Sequence, residues 1–139
     1  MDGDRLLLIR HQNFSDGSSY WLLPGGGMEE GETAEGCLAR ELKEETNLDV
    51  RVVKIIMEDG KTDFPGVTYQ NRLTYLCRPL SNEARPGYEP ESEAASRYRI
   101  AEVRWVNLKI KNEWYPLVKN DPWALPTLQR ICSLLGYPV

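Results

Sequence analysis

The stretch that decides the fold covers residues 26–48 and reads GGMEEGETAEGCLARELKEETNL. Residues 33–46 are predicted to form a helix, because small and apolar side chains recur there at every fourth position. Thr33 suits the N-cap, where a hydroxyl can accept a hydrogen bond from the first turn. Asn47 suits the position after the helix, because asparagine tolerates a left-handed backbone.

Three glutamates are predicted to lie on one face of this helix. Glu41, Glu44 and Glu45 stand at positions i, i+3 and i+4, which are neighbours on a helix surface. Their like charges repel, and Arg40 alone cannot balance three carboxylates. A hard divalent cation such as Mg²⁺ can, because it prefers oxygen ligands. The pattern therefore predicts a metal site, which Glu32 can join from the loop before the helix.

The same stretch resembles the Nudix box, G-x5-E-x7-R-E-U-x-E-E-x-G-U, in which U is an aliphatic residue. The matching positions are Gly26, Glu32, Arg40, Glu41, Leu42, Glu44, Glu45 and Leu48. Asn47 stands where the family usually has glycine, which affects the geometry of the helix end rather than the carboxylates. The lead-in Leu23-Pro24-Gly25 and the late strand around Trp105 extend the resemblance over most of the chain.

The resemblance implies an α+β fold, the Nudix α/β/α sandwich, with a mixed β-sheet between helices. Outside the box, strands are predicted at 5–10, 20–22, 50–57, 67–77 and 103–108, a loop at 81–98, and a second helix from about residue 126. We expect a single domain over residues 1–139 that lacks the family's usual first strand. That would leave an exposed sheet edge near residues 5–10.

The resemblance also implies an activity, the Mg²⁺-dependent hydrolysis of a phosphoanhydride (pyrophosphate) bond. The expected substrate is a nucleoside diphosphate linked to another moiety, or a nucleotide, and Mn²⁺ is an alternative metal. The expected metal ligands are Glu41, Glu44, Glu45, Glu32 and the backbone carbonyl of Gly25. Arg40 is expected to orient one of these carboxylates. The alternative is a sensor on the same fold, which would bind a nucleotide or sugar phosphate without turnover.

The general base that takes a proton from the attacking water could come from two regions. Glu44 on the helix is one candidate. The late loop supplies the others, which are Glu89, Glu91, Glu93 and Glu102. We favour Glu93 and Glu102 within this loop, because they lie closest to the strand that carries Trp105.

Composition narrows the partners. The chain has 17 Lys and Arg against 21 Asp and Glu, a net charge of −4, which argues against nucleic acid as a partner. Cys37, Cys77 and Cys132 are too widely spaced for a zinc motif and indicate reduced thiols in a cytoplasmic protein. No apolar run suggests a membrane partner. A small phosphorylated ligand is therefore expected, and a homodimer is left open.

Overall fold

The first strand, β1 (Arg5–Asn13), is an apolar run that lies at the centre of a three-stranded sheet in the computed structural model. It pairs antiparallel with β2 (Ser19–Leu22) on one side and with β7 (Tyr98–Asn107) on the other. The prediction of an exposed edge near residues 5–10 is therefore wrong on the β7 side, where pairing runs from Arg5 to Asn13. A strand from much later in the chain occupies that edge, which the local pattern of β1 could not reveal. On the other side β2 pairs with residues 9–12 only, so no strand is described there beside residues 6–8.

The structure describes residues 1–64, 67–81, 83–88, 95 and 97–139. Two more strand pairs occur in this part of the chain. They join β3 (Val50–Asp59) to β6 (Arg72–Pro79), and β4 (Thr62–Phe64) to β5 (Val67–Tyr69). The single strand predicted over 67–77 is thus two strands. Every described strand pair is antiparallel, so the parallel pairing implied by a mixed sheet is not found among them.

Three helices accompany these strands in the described residues. They are α1 (Ala34–Thr46), α2 (Lys111–Val118) and α3 (Ala124–Leu135). The α+β class is confirmed. Helix α2 was not predicted, because it is short and contains Pro116. None of these helices has the length and apolar character that crossing a lipid bilayer would require.

One face of β1 forms the main hydrophobic core with the C-terminal helices. Leu6 and Leu8 pack with Trp114 of α2 and with Leu128 and Ile131 of α3, all of which are buried. Alternate residues of a strand point to opposite faces, so the same strand can serve a second layer with its other face. Helix α1 packs against β3 and buries its own apolar residues Cys37 and Leu42.

His11 is a buried polar residue of β1. Only 5% of the residue is exposed, and its ring stacks on Tyr98 with 4.1 Å between centroids. Its Nδ1 lies 3.3 Å from the Tyr20 hydroxyl, and its Nε2 has no hydrogen-bond partner in the described structure. Burial lowers the pKa of His11 to about 4, so the imidazole is neutral at neutral pH.

This burial predicts a loss of stability in mild acid. The unfolded chain binds a proton at His11 below about pH 6.5, whereas the folded protein resists protonation until about pH 4. The free energy of unfolding should therefore fall by about 2 kcal/mol between pH 7 and pH 5. In His11→Phe, which keeps an aromatic ring, that fall should be absent. Urea unfolding at both pH values measures it, and parallel curves for the two proteins would contradict the assignment.

Candidate active site

Helix α1 begins and ends as its sequence predicts. The Thr33 hydroxyl accepts a hydrogen bond from the Gly36 amide at 3.0 Å. Asn47 adopts the left-handed conformation with φ of 62°, and its backbone N–H donates to the Lys43 carbonyl. Both predicted caps are confirmed, and they determine which turns of α1 carry its glutamates.

Arg40 holds three carboxylates together at the surface of α1. Its Nε donates to Glu32 Oε2 at 2.8 Å and its Nη2 to Glu32 Oε1 at 2.9 Å, a bidentate contact. Its Nη1 donates to Glu41 Oε1 at 3.1 Å and to Glu44 Oε2 at 3.2 Å. We call these four residues the Arg40 cluster. The structure therefore joins the loop glutamate to two helix glutamates through one guanidinium.

Glu32 and Arg40 form an ionised pair at neutral pH. Hydrogen bonds from Arg40, and secondarily from the Glu29 backbone amide, lower the pKa of Glu32 to about 2. The same contact with Glu32 raises the pKa of Arg40 above its ordinary value. Glu41, Glu44 and Glu45 lie in the C-terminal half of α1, so their negative charges are also close to the negative end of the helix dipole. A positive partner is therefore required here, and Arg40 supplies one unit of charge.

Glu45, which is not part of the Arg40 cluster as defined, is held by the backbone of the turn that precedes α1. Only 2% of the residue is exposed, and its Oε1 accepts a hydrogen bond from the Gly25 amide at 2.7 Å. Gly25 has a φ of 151°, which side-chain-bearing residues rarely adopt. The resemblance to the Nudix box implies that the Gly25 carbonyl is a metal ligand, whereas the described contact uses the Gly25 backbone N–H.

Gly26 lies against Glu41. A Cβ atom placed on Gly26 would stand 2.5 Å from Glu41 Oε1, closer than any non-bonded carbon and oxygen can approach. The backbone turn and the helix carboxylate therefore touch only because position 26 has no side chain. At Gly27 an added Cβ would meet nothing within 4 Å, so this tight approach is specific to one of the two glycines.

The donor set suits a hard divalent cation. Within the described ranges, no group of three or more His, Cys, Asp or Glu side chains is arranged around a common metal position. Arg40 instead lies among the carboxylates of its cluster. The available side-chain donors are all carboxylate oxygens, which Mg²⁺ and Mn²⁺ accept and which zinc sites use less often. The residues present therefore fit Mg²⁺ in kind.

The two regions proposed for a general base differ in what the structure shows. Glu44 belongs to the Arg40 cluster. Glu102 lies on β7 and accepts hydrogen bonds from Arg10 Nε at 3.4 Å and Arg104 Nε at 2.8 Å. Both guanidinium groups lie over the Trp21 ring, so the described partners of Glu102 are on β1 and β7 rather than on α1. Glu93, like Glu89 and Glu91, lies outside the described residues.

A cleft runs beside these groups. Its volume is about 1130 Å³, and Gly25, Gly26, Glu41 and Glu45 form part of its wall. Polar and aromatic side chains line other parts of it, including Tyr20, Asn71, Tyr98 and Asp121. A space of this size is sufficient for a small phosphorylated ligand.

One contributor to this site escaped the sequence argument. Residues Arg85–Tyr88, which we call the capping segment, lie over the C-terminal end of α1 and donate backbone hydrogen bonds to its last carbonyls. The dipeptide Pro86-Gly87 signalled a turn, but nothing in the local sequence showed which helix the turn would contact.

The contact between Gly26 and Glu41 predicts different effects for two neighbouring substitutions. Gly26→Ala should displace the Glu41 carboxylate, the movable end of a side chain, from Arg40 and lower the free energy of unfolding by about 1 kcal/mol, the worth of one hydrogen bond. Gly27→Ala is the matched control and should change it by less than about 0.5 kcal/mol. Denaturant titration of the three proteins gives the comparison. Equal losses in both variants would show that Glu41 does not limit the space at position 26.

Comparison with known proteins agrees with this geometry. The family model described as the NUDIX domain matches residues 1–121. Among relatives, the NAD-capped RNA hydrolase NudC of Photobacterium profundum is 32% identical over 91 residues. That match covers 66% of this chain and 32% of the relative, so the chain spans about a third of the relative's length.

Solved structures show the same fold. A NUDIX hydrolase from Nitrosomonas europaea has a TM-score of 0.70 at 18% identity, with 98% of this chain and 85% of that chain covered. A UDP-X diphosphatase has a TM-score of 0.68 at 16% identity, with 98% of this chain and 59% of that chain covered. At these identities the likeness concerns the fold alone. The family match over most of the chain, with the carboxylates of α1 in place, shows that this protein belongs to the Nudix family.

Proposed function

We propose that this protein hydrolyses a phosphoanhydride bond in a nucleoside diphosphate linked to another moiety, or in a nucleotide, with Mg²⁺ as its metal and Mn²⁺ as a substitute. The observation that carries the proposal is the Arg40 cluster beside the buried Glu45. Three carboxylates on one guanidinium, together with the carboxylate of Glu45, retain excess negative charge, which a divalent cation would neutralise.

The site contains the residues proposed as metal ligands and one residue, Arg40, that positions them. We assign the metal to Glu41, Glu44 and Glu45, with Glu32 and the Gly25 carbonyl as further ligands. When bound, Mg²⁺ would neutralise phosphate charge and lower the pKa of a water molecule. Arg40 keeps the carboxylates close together before the metal arrives, since it already contacts Glu32, Glu41 and Glu44.

Glu44 is the base that we favour for taking a proton from the attacking water. It is in the Arg40 cluster, whereas the described partners of Glu102 are Arg10 and Arg104. Glu44 therefore lies among the carboxylates that we assign to the metal, where a metal-activated water would be held. Glu102 and Glu93 stay as the alternative bases, and the assay below separates them from Glu44.

The cleft and the names of the relatives support the proposed substrate class. The cleft wall includes Glu41 and Glu45 as well as aromatic side chains such as Tyr20 and Tyr98. Aromatic rings in the wall of the same cleft suit the base of a nucleotide. The names of the comparison proteins include a UDP-X diphosphatase and a NAD-capped RNA hydrolase, so capped RNA belongs in the test set beside free nucleotides.

Metal binding is the first test. Outer-sphere partners of bound metals are worth about 10–100-fold in affinity, so loss of a ligand should cost at least as much. We expect Glu45→Gln to weaken Mn²⁺ and Mg²⁺ binding by at least tenfold in calorimetry. Glu35→Gln is the matched control, because Glu35 is an exposed glutamate in the first turn of the same helix. Equal affinities in all three proteins would remove α1 as the metal site.

Turnover is the second test and separates an enzyme from a sensor. Phosphate or nucleotide release should be measured at saturating Mg²⁺ on nucleoside diphosphate sugars, dinucleotides, nucleoside triphosphates and NAD-capped RNA. We expect turnover on at least one class, and a kcat about 10²–10⁴-fold lower in Glu44→Gln at a Mg²⁺ concentration that saturates the variant. Glu93→Gln and Glu102→Gln should stay near wild type. Tight binding of a panel member without any turnover would support the sensor instead.

A further inference from the structure

The last turn of α1 is capped from outside the helix. The last four carbonyls of a helix have no partner within it. Here the Lys43 carbonyl accepts from the Asn47 amide at 3.1 Å, and the capping segment supplies the other three donors. These bonds run from Tyr88 to Glu44 at 3.0 Å, from Gly87 to Glu45 at 2.8 Å, and from Arg85 to Thr46 at 2.9 Å.

The Asn47 side chain fastens the capping segment to the helix. Its Nδ2 donates to the Arg85 carbonyl at 3.0 Å and to the Pro86 carbonyl at 3.4 Å. Glycine at position 47 could adopt the same left-handed backbone but would have no side chain to make these bonds. Asn47 therefore does something that the residue usual in the family at this position cannot do.

Gly87 allows the capping segment to approach closely. A Cβ atom added at Gly87 would collide with the Glu44 carbonyl oxygen and stand 2.9 Å from the Glu45 carbonyl carbon. Both obstacles are backbone atoms, which cannot rotate away as a side chain can. Any other residue at position 87 would therefore push the segment off the helix end.

We propose that Asn47 and Gly87 are positioning residues for the metal-binding carboxylates. This rests on the proposed function. Glu44 and Glu45 belong to the last turn of α1, and helix ends fray when their carbonyls lack partners. Glu45 is bonded at both its ends, by Gly25 at the carboxylate and by Gly87 at the carbonyl. The hydrogen bonds that Asn47 and α1 make with the capping segment, which we call the clamp, thus hold both glutamates in place relative to Arg40 and to the turn at residues 25–27.

The substitution Asn47→Gly tests the clamp without disturbing the helix end. The backbone keeps its left-handed conformation, and only the two side-chain hydrogen bonds are removed. We expect faster amide hydrogen exchange at Gly87 and Tyr88, a kcat at saturating metal about tenfold lower, and several-fold weaker Mn²⁺ binding. Gly87→Ala should have the same effects. The kcat and Mn²⁺ affinity of the double variant should be no lower than those of the more impaired single variant, because both substitutions disrupt the same contact.

Gly136→Ala is the control for a purely structural effect. Gly136 is the left-handed C-cap of α3, with φ of 81°, so the variant loses stability at the end of a different helix, which carries none of the metal-binding glutamates. Its kcat and Mn²⁺ affinity should equal those of wild type at temperatures where it is folded. If Asn47→Gly lowers the melting temperature as Gly136→Ala does but leaves kcat and Mn²⁺ affinity unchanged, the positioning role is overturned.

The outcomes for the clamp and for the proposed function are separable. A wild-type protein that neither binds Mn²⁺ nor turns over any panel member overturns the proposed function. An active wild type, together with Asn47→Gly that matches it in exchange, kcat and affinity, overturns the clamp alone. Hydrogen exchange at residues 87 and 88 reports the clamp directly and does not depend on any substrate.

Discussion

The Arg40 guanidinium is the contact on which the rest of the site depends. Glutamates spaced at three and four residues on one helix repel one another, and the negative end of the helix dipole adds to the repulsion. Arg40 offsets this repulsion by donating hydrogen bonds to Glu32, Glu41 and Glu44 at once. The planar fork of arginine makes such a contact possible, whereas lysine offers a single point of charge.

Close backbone approach holds α1 from two directions. At one side Gly25 and Gly26 bring a turn against the carboxylates of Glu45 and Glu41, and at the C-terminal end Gly87 lies against the helix carbonyls. At Gly26 and Gly87 the approach needs a position without a side chain, whereas Gly25 is needed for its backbone φ of 151°. A catalytic geometry that tolerates little displacement benefits from such contacts, because backbone atoms move less than side chains.

Membership in the Nudix family accounts for the carboxylates of α1, but most of the residues that line the cleft lie outside residues 26–48. The walls away from α1 come from several strands and from the segments beside α2 and α3. His11 adds a buried neutral imidazole stacked on Tyr98 to one of these walls. Glu102 is bound between Arg10 and Arg104 beside Trp21, an arrangement that connects side chains of β1, β2 and β7.

The amino-acid sequence by itself determined the α+β class, the extent of α1, both of its caps and the set of glutamates on it. These features are local, because helix periodicity, caps and spacing act over a few residues. Only the tertiary structure decided that β1 is a central strand, that 67–77 is two strands, and that the capping segment covers the end of α1. Each of these depends on pairing between segments far apart in the chain. The sequence of one segment specifies that it needs a partner, but the packing of the whole chain selects which partner it meets.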